Sequence, residues 1–196
     1  DANAIRSVAL PAALQSVGSY AFYNCRRLET ITLPQSVTDF GGGALMNCRA
    51  LRTIMLHADP SAPTCLQKLL GEHAGELDVQ FAGGAPARLL FPAYTEELED
   101  LSPAHIFQRR IHGAGYGYRQ CFDASVLNFR QYDLALTGLL ERHDFAVAAR
   151  VAARRLAVPY ALSDAARDAY LDCLRAHGGA LLRACAAAGE SAAISF

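Results

Sequence analysis

The chain lacks any bias of charge: 18 basic residues stand against 19 acidic ones, for a net charge of −1. No global field therefore draws it to nucleic acid or to an anionic membrane surface, and nucleic acid is set aside as a partner. Lysine is nearly missing, Lys68 being the only one. Coding bias in a GC-rich genome, visible also in the alanine-rich second half, explains the arginines better than arginine-specific recognition does. No apolar run approaches the ~20 residues that span a bilayer as a helix, so no membrane insertion is expected. The opening Asp1-Ala2-Asn3-Ala4 has no charged stretch leading into an apolar one, as a signal peptide would. There is no C-x-x-C, and Cys65, Cys121, Cys173 and Cys185 are irregularly spaced, unlike a secreted disulfide framework or a zinc site. Reduced thiols are expected, which favours the cytoplasm over the cell surface.

What is present is a repeat. Leu10-Pro11 recurs as Leu33-Pro34, and Ala21-Phe22-Tyr23-Asn24-Cys25 recurs as Ala44-Leu45-Met46-Asn47-Cys48, each offset by 23 positions. A third copy starts at Leu51, Ile54 and Leu56 and then dissolves. A fixed period in the twenties with apolar residues spaced L-x-x-I-x-L is that of a leucine-rich repeat, whose units bury their apolar faces only against their neighbours. Residues 7 to 10, 30 to 33 and 53 to 56 are predicted as short parallel strands. Period 2 turns Val8/Leu10, Ile31/Leu33 and Ile54/Leu56 inward. The outward ladder is Ser7/Thr30/Thr53 and Ala9/Thr32/Met55, flanked by Arg6/Glu29/Arg52. On strands about 4.8 Å apart these charges can pair with one another as readily as with a ligand. Cys25 and Cys48 share a repeat position, which predicts a stacked, buried ladder of thiols. Gly18 and Gly41 fit tight turns, and Asn24 and Asn47 are expected to bond backbone in the bend that follows.

The order L-P-x-x-[LV]-x-x-[VF]-G-x-x-A-[FL]-x-N-C-x-x-L, followed by x-x-I-x-L, resembles the BspA-like leucine-rich repeat family of bacterial proteins. The resemblance covers residues 5 to 56. It implies a non-enzymatic interaction or adhesion module that binds another protein, with no cofactor. The first residues already lie within a repeat and solenoids need capped ends, so further repeats are expected upstream.

After Leu56 the period fails. Residues 57–63 read as a loop, Cys65 to Leu70 as a short helix ending at Gly71, and Leu77-Asp78-Val79-Gln80-Phe81 as a strand closing the sheet. Gly83-Gly84-Ala85-Pro86 is the expected domain boundary, with Arg88-Leu89-Leu90-Phe91-Pro92 adding an extended segment. From Thr95 onward the signals are helical. Thr95, Ser102 with Pro103, Asn128, Asp144 and Ser163 read as N-caps, and helices are predicted near 96–101, 103–110, 129–141, 145–156, 164–176 and 179–188. Short loops between the last four imply antiparallel neighbours. The spacing of the Asp144 and Gly189-Glu190 starts suggests a HEAT-like or ankyrin-like array. The segment from His112 to Phe122 resembles a helical region that follows such repeats in some bacterial proteins of unknown role. The apolar Ala192-Ala193-Ile194-Ser195-Phe196 ending has no cap, which suggests truncation or a missing packing partner.

An enzyme has one place to hide, the segment from His112 to Cys121, where a His, a Cys, an Arg and two Tyr gather beside three glycines. A cysteine nucleophile needs a His within hydrogen-bond reach and a depressed pKa. No local cysteine-protease signature accompanies it, and G-x-G-Y-G follows no strand of a β-α-β unit. The structural reading is a glycine bend with Tyr116 and Tyr118 packed on helices and Arg119 satisfying carbonyls or a carboxylate. Cys173 and His177 stand four apart, a spacing that could offer two zinc ligands, but without a second pair they read as a core thiol and a helix-terminal histidine. Glu96, Glu97, Glu99 and Asp100 read as a solvated helix start. Phe129, Tyr132, Leu136, Leu139 and Leu140 form a helical core stripe, and His57, His73, His105 and His143 receive no role. The sequence thus predicts an α+β chain: a leucine-rich repeat solenoid over 1–82 joined to an all-helical unit of antiparallel pairs over 83–196. Its expected function is non-enzymatic protein binding through Glu29, Thr30, Thr32, Arg52, Thr53 and Met55. The alternative is a ligand-binding or cysteine-dependent catalytic site around His112 to Cys121.

Overall fold

The computed structural model describes residues 4–101 and 106–188. Short β-branched stretches alternating small polar with aliphatic residues become the strands. β1 (Ser7–Ala9), β3 (Thr30–Pro34) and β5 (Thr53–His57) stack in parallel, with β2 (Ser16–Val17) and β4 (Asp39–Phe40) forming a second small parallel ladder. The register is the one the repeat dictates, Ser7 to Thr30 to Thr53 and Ala9 to Thr32 to Met55. Leu28, Ile31, Leu33, Leu51, Ile54 and Leu56 are buried between coils. Cys25 and Cys48 are buried and free as expected, with the Cys48 thiol bonded to the Phe22 carbonyl at 3.1 Å.

One detail of the coil differs from expectation. Asn24 and Asn47 adopt left-handed backbone, φ 62° and 65°, but the Asn47 side-chain amide donates to the Asn24 Oδ1 at 2.8 Å. Stacking in register brings identical amides together, so they bond each other instead of the backbone. Gly41 opens a tight turn as expected, its carbonyl accepting from the Ala44 N–H at 3.3 Å, and glycine is required there because a Cβ would lie 2.4 Å from the Ser19 nitrogen of the preceding coil. The left-handed glycine of this turn is Gly43, at φ 69°.

Beyond β5 the outer turn is replaced by α1 (Leu66–Gly71), after which β6 (Leu77–Phe81) joins β5 in parallel and β7 (Ala87–Phe91) returns antiparallel to β6. The sheet order is β1-β3-β5-β6-β7. The outer edge of β7 is sealed at Leu90: the Tyr132 hydroxyl accepts from its N–H at 3.0 Å and donates to its carbonyl at 2.6 Å. Covering an edge in this way removes a template for stray strand pairing.

The helix expected near 96–101 is a strand, and so is 106–110, the described part of the helix expected near 103–110. Thr95 begins β8 (Thr95–Leu101), which pairs antiparallel with β9 (Ile106–His112). The acidic run that imitated a helix start is one strand of a cross-strand ladder: on one face Glu96 pairs with Arg109, and on the other Glu99 pairs with Arg110 at 2.7 Å while Glu97 lies 3.3 Å from the His112 ring. Opposite charges facing across two strands stabilise the pairing, and a single strand read alone does not show its partner. The Ser102-Pro103 cap lies outside the described residues.

α2 (Gly115–Tyr118) and the small antiparallel pair β10 (Phe122–Asp123) and β11 (Val126–Leu127) lead into α3 (Phe129–Leu134), α4 (Leu136–Glu141), α5 (Phe145–Ala157) and α6 (Asp164–Ala188). The helix expected over 129–141 is divided at Ala135 into α3 and α4. Asn128 caps α3 by accepting from the Gln131 N–H at 2.9 Å, and Ser163 caps α6 by accepting from Ala166 at 3.2 Å. Asp144 makes no such bond at α5. The two helices expected over 164–176 and 179–188 are one, running through Gly178-Gly179. Each glycine costs a helix only about 1 kcal/mol, which packing against α5 offsets. The helix start expected at Gly189-Glu190 and the ending from Ala192 lie outside the described residues.

The fold is α+β: a solenoid of about three turns with parallel strands, then a helical region with antiparallel pairs. One continuous buried cluster runs from Val17 through the coils to Tyr170 and Cys173.

Candidate binding face of the repeat sheet

Alternation along β3 and β5 leaves Thr30, Thr32, Thr53 and Met55 half-buried on the outer face of the sheet, with Glu29 and Arg52 exposed just before each strand. The structure brings these six residues together on adjacent strands. Arg6 and Glu29 form an ion pair. Arg52 does not join the column; its guanidinium turns to the carbonyls of Arg49 at 3.0 Å and Leu51 at 2.7 Å. Two of the three charges of the ladder therefore neutralise each other, and the third is bonded to backbone within the chain.

The same face continues onto β6, where Asp78 lies beside Thr53 and Gln80 beside Met55. Asp78 is held by the Arg88 fork at 2.9 and 2.6 Å and by Arg154 of α5 at 3.0 Å, and Glu76 by Arg150 of α5 at 2.7 Å. The threonine shelf thus ends in a wall whose carboxylates are already neutralised. Sequence reasoning saw β6 but missed Asp78 and Gln80 as part of the face. The step from Thr53 to Asp78 is longer than the repeat, so the offset that aligned the earlier coils does not reach them. The shelf offers hydroxyls, one thioether and short aliphatic surface to a partner.

The glycine-rich segment assembles differently. Gly113 has φ 88°, and a Cβ on Gly115 would lie 2.1 Å from the Pro92 carbonyl oxygen. The bend lets the chain pass against β7. Tyr118 is buried edge-on to Tyr132 at 4.9 Å, and Tyr116 meets Tyr94 at 5.6 Å. Arg119, buried, donates to the carbonyls of Leu70 at 3.2 Å, His73 at 3.0 Å, Gly75 at 2.6 Å, Pro92 at 2.5 Å and Gly115 at 2.8 Å. It satisfies carbonyls, as expected. Cys121 is buried, and burial, assisted by the Asp133 charge, pushes its thiol up to about 11. His112 sits exposed at the end of β9, facing Glu97. The thiol is protonated at neutral pH, the opposite of what a cysteine nucleophile requires.

Cys173 is buried and its pKa is raised by burial. His177 lies mid-helix, not at a helix end, and stacks on Phe145 with ring centroids 4.0 Å apart. Among the described residues, no group of three or more His, Cys, Asp or Glu is placed to hold a metal, and no helix is long and apolar enough to cross a membrane. Phe129, Tyr132, Leu136 and Leu139 are buried and Leu140 partly so, the core stripe that their spacing predicts. His57 is exposed, His143 lies edge-on to Phe145, and His105 falls outside the described residues. His73 is drawn down to about 4 by burial and by the charges of Arg119 and Arg52.

Residues 1–63 match the family model described as BspA type leucine rich repeat region (6 copies). No curated protein and no solved structure matches the chain.

Proposed function

Residues 1–63 being a BspA-type leucine-rich repeat region, we propose that the chain is a non-enzymatic scaffold that binds a protein partner through the outer face of its parallel sheet. Repeat solenoids commonly serve as interaction scaffolds, because stacking builds an extended surface whose side chains vary independently of the core. The observation that carries the reading is the half-exposed ladder of Thr30, Thr32, Thr53 and Met55, in register on adjacent strands. Glu29 and Arg52 flank it and set which charges a partner tolerates. Like charge placed opposite either residue costs affinity and lowers the association rate.

The test is affinity capture from source-cell lysate and envelope fractions with the intact chain, beside the charge-introducing variants Thr32→Arg and Thr53→Glu and a control on the exposed face of α6, Arg175→Glu. A partner retained by wild type and control but lost from both strand-face variants supports the reading. A partner held equally by all four moves binding off the sheet. Point variants are preferable to removing residues 1–82, which would strip β6 from β7.

A further inference from the structure

A second surface lies on the solenoid, at the turns joining one strand to the next. Its coils are bonded in step: Tyr20 N–H to Gly42 carbonyl at 3.3 Å, Phe22 to Ala44 at 2.9 Å and Asn24 to Met46 at 3.0 Å. This sets Tyr23 beside Met46, and both are 46% exposed. Tyr20 is 60% exposed and meets Tyr23 edge-on at 6.1 Å.

Tyr20 is out of place by the logic of the repeat. Its backbone is left-handed at φ 59°, while the residue one repeat on is Gly43, at φ 69°. The turn requires a conformation that glycine adopts freely and a bulky side chain adopts only at a steric cost. The Tyr20 ring lies over Gly43, where a Cβ would come within 2.5 Å of it. A strained aromatic that remains largely exposed gains little from the fold, and strain of this kind collects at binding sites.

The charged side chains that the two turns themselves contribute are of one sign; one carboxylate from outside them, Glu72, reaches the patch and is engaged there by the Gly43 N–H at 2.5 Å. Arg26 and Arg27 follow Tyr23, and Arg49 follows Met46; all three are exposed, and among the described residues none has an ion-pair partner. Neither turn, residues 18–28 or 41–51, contains an aspartate or glutamate. Tyrosine, methionine and arginine are the residue types enriched where protein partners dock.

We propose that this turn edge docks an acidic peptide segment of a partner protein, its carboxylates on Arg26, Arg27 and Arg49 and an aromatic or aliphatic anchor against Tyr20, Tyr23 and Met46. Charge complementarity selects the acidic class, and the exposed aromatic pair selects a segment with an apolar anchor over a bare polyanion. The site uses none of the strand-face side chains, although it adjoins that face where Arg52 reaches the Arg49 carbonyl at 3.0 Å.

Fluorescence anisotropy with the intact chain tests this, using a short glutamate-rich peptide carrying two phenylalanines. The controls are its glutamine version, its version with serine for phenylalanine, and a single-stranded oligothymidylate. The expected result is binding of the first peptide that weakens with salt and drops at least about tenfold, or about 1.4 kcal/mol, for each control and for the double variant Arg26→Gln, Arg49→Gln. Tyr20→Gly separates binding from folding: relief of the left-handed strain keeps or raises Tm, while affinity falls. Thr32→Arg on the strand face leaves the peptide affinity unchanged, so failure of this site and failure of the strand face are read separately. No binding of the acidic peptide, equal binding by the double arginine variant or by Tyr20→Gly, or equal or tighter binding of the serine peptide or the oligonucleotide overturns the proposal.

Discussion

His73 and Cys121 show how position in the fold, more than residue type, decides chemistry. With its pKa drawn from 6.5 down to about 4, folded His73 stays neutral where the unfolded chain takes up a proton. The stability it contributes is intact above pH 6.5 and is lost as pH falls toward 4. At about 1.4 kcal/mol per pKa unit, reduced because the ring is partly exposed, the loss is roughly 1–3 kcal/mol. The expected outcome is that the stability difference between wild type and His73→Gln, from urea unfolding at a series of pH values, moves in the variant's favour across that window. A difference that stays flat would sink the assignment. For Cys121 the raised pKa, to about 11, predicts slow alkylation by iodoacetamide at neutral pH until the chain is unfolded. Mass spectrometry of the modified peptides reads this directly, and fast native labelling would contradict a buried, protonated thiol. Neither environment was legible in the sequence, since both depend on groups far along the chain: Arg119 and Arg52 for His73, Asp133 for Cys121.

At the scale of elements, legibility followed the range of the information. β1, β3 and β5 were readable because each repeats the others, and α5 because its apolar period is complete within itself. β8 and β9 were misread because their stability resides in pairs such as Glu99 with Arg110, and the acids taken alone satisfy the rule for a helix start. α6 was cut in two because Gly178-Gly179 is a local stop signal that α5 overrides. Of the candidate site, the outward ladder was legible and the Asp78 wall was not. The helices are tied by another contact that no local pattern shows: Asp133 of α3 accepts from Arg155 of α5 at 2.8 Å and from the Tyr170 hydroxyl of α6 at 2.9 Å. Arg155 is fully buried over the Phe129 ring. Removing one partner leaves a buried charge uncompensated, so Asp133→Ala is expected to lower stability by roughly 3–5 kcal/mol. The check is thermal unfolding, and a loss below about 1 kcal/mol would class the contact with ordinary surface pairs.

Across the whole molecule, solenoid and helices share their last layer. Leu77, Val79 and Phe81 are buried in β6 against the coils, β6 is completed by β7, and Asp78 and Glu76 are claimed by Arg88, Arg154 and Arg150. Residues 1–82 expressed alone are therefore expected to show no cooperative urea transition, whereas the intact chain unfolds cooperatively. A sharp transition in the fragment would show that the coils need no lid. The antiparallel return of β7, sealed by Tyr132, has a further consequence in the terms of gene duplication. An extra repeat copied in frame between β1 and β5 finds a parallel strand waiting on either side and extends the array without altering its neighbours. The same copy placed after β7 meets a strand running the wrong way with its edge already occupied. The register thus lets the outer sheet face be lengthened on the side of the coils, whereas β7 and the helices close the other end of the array.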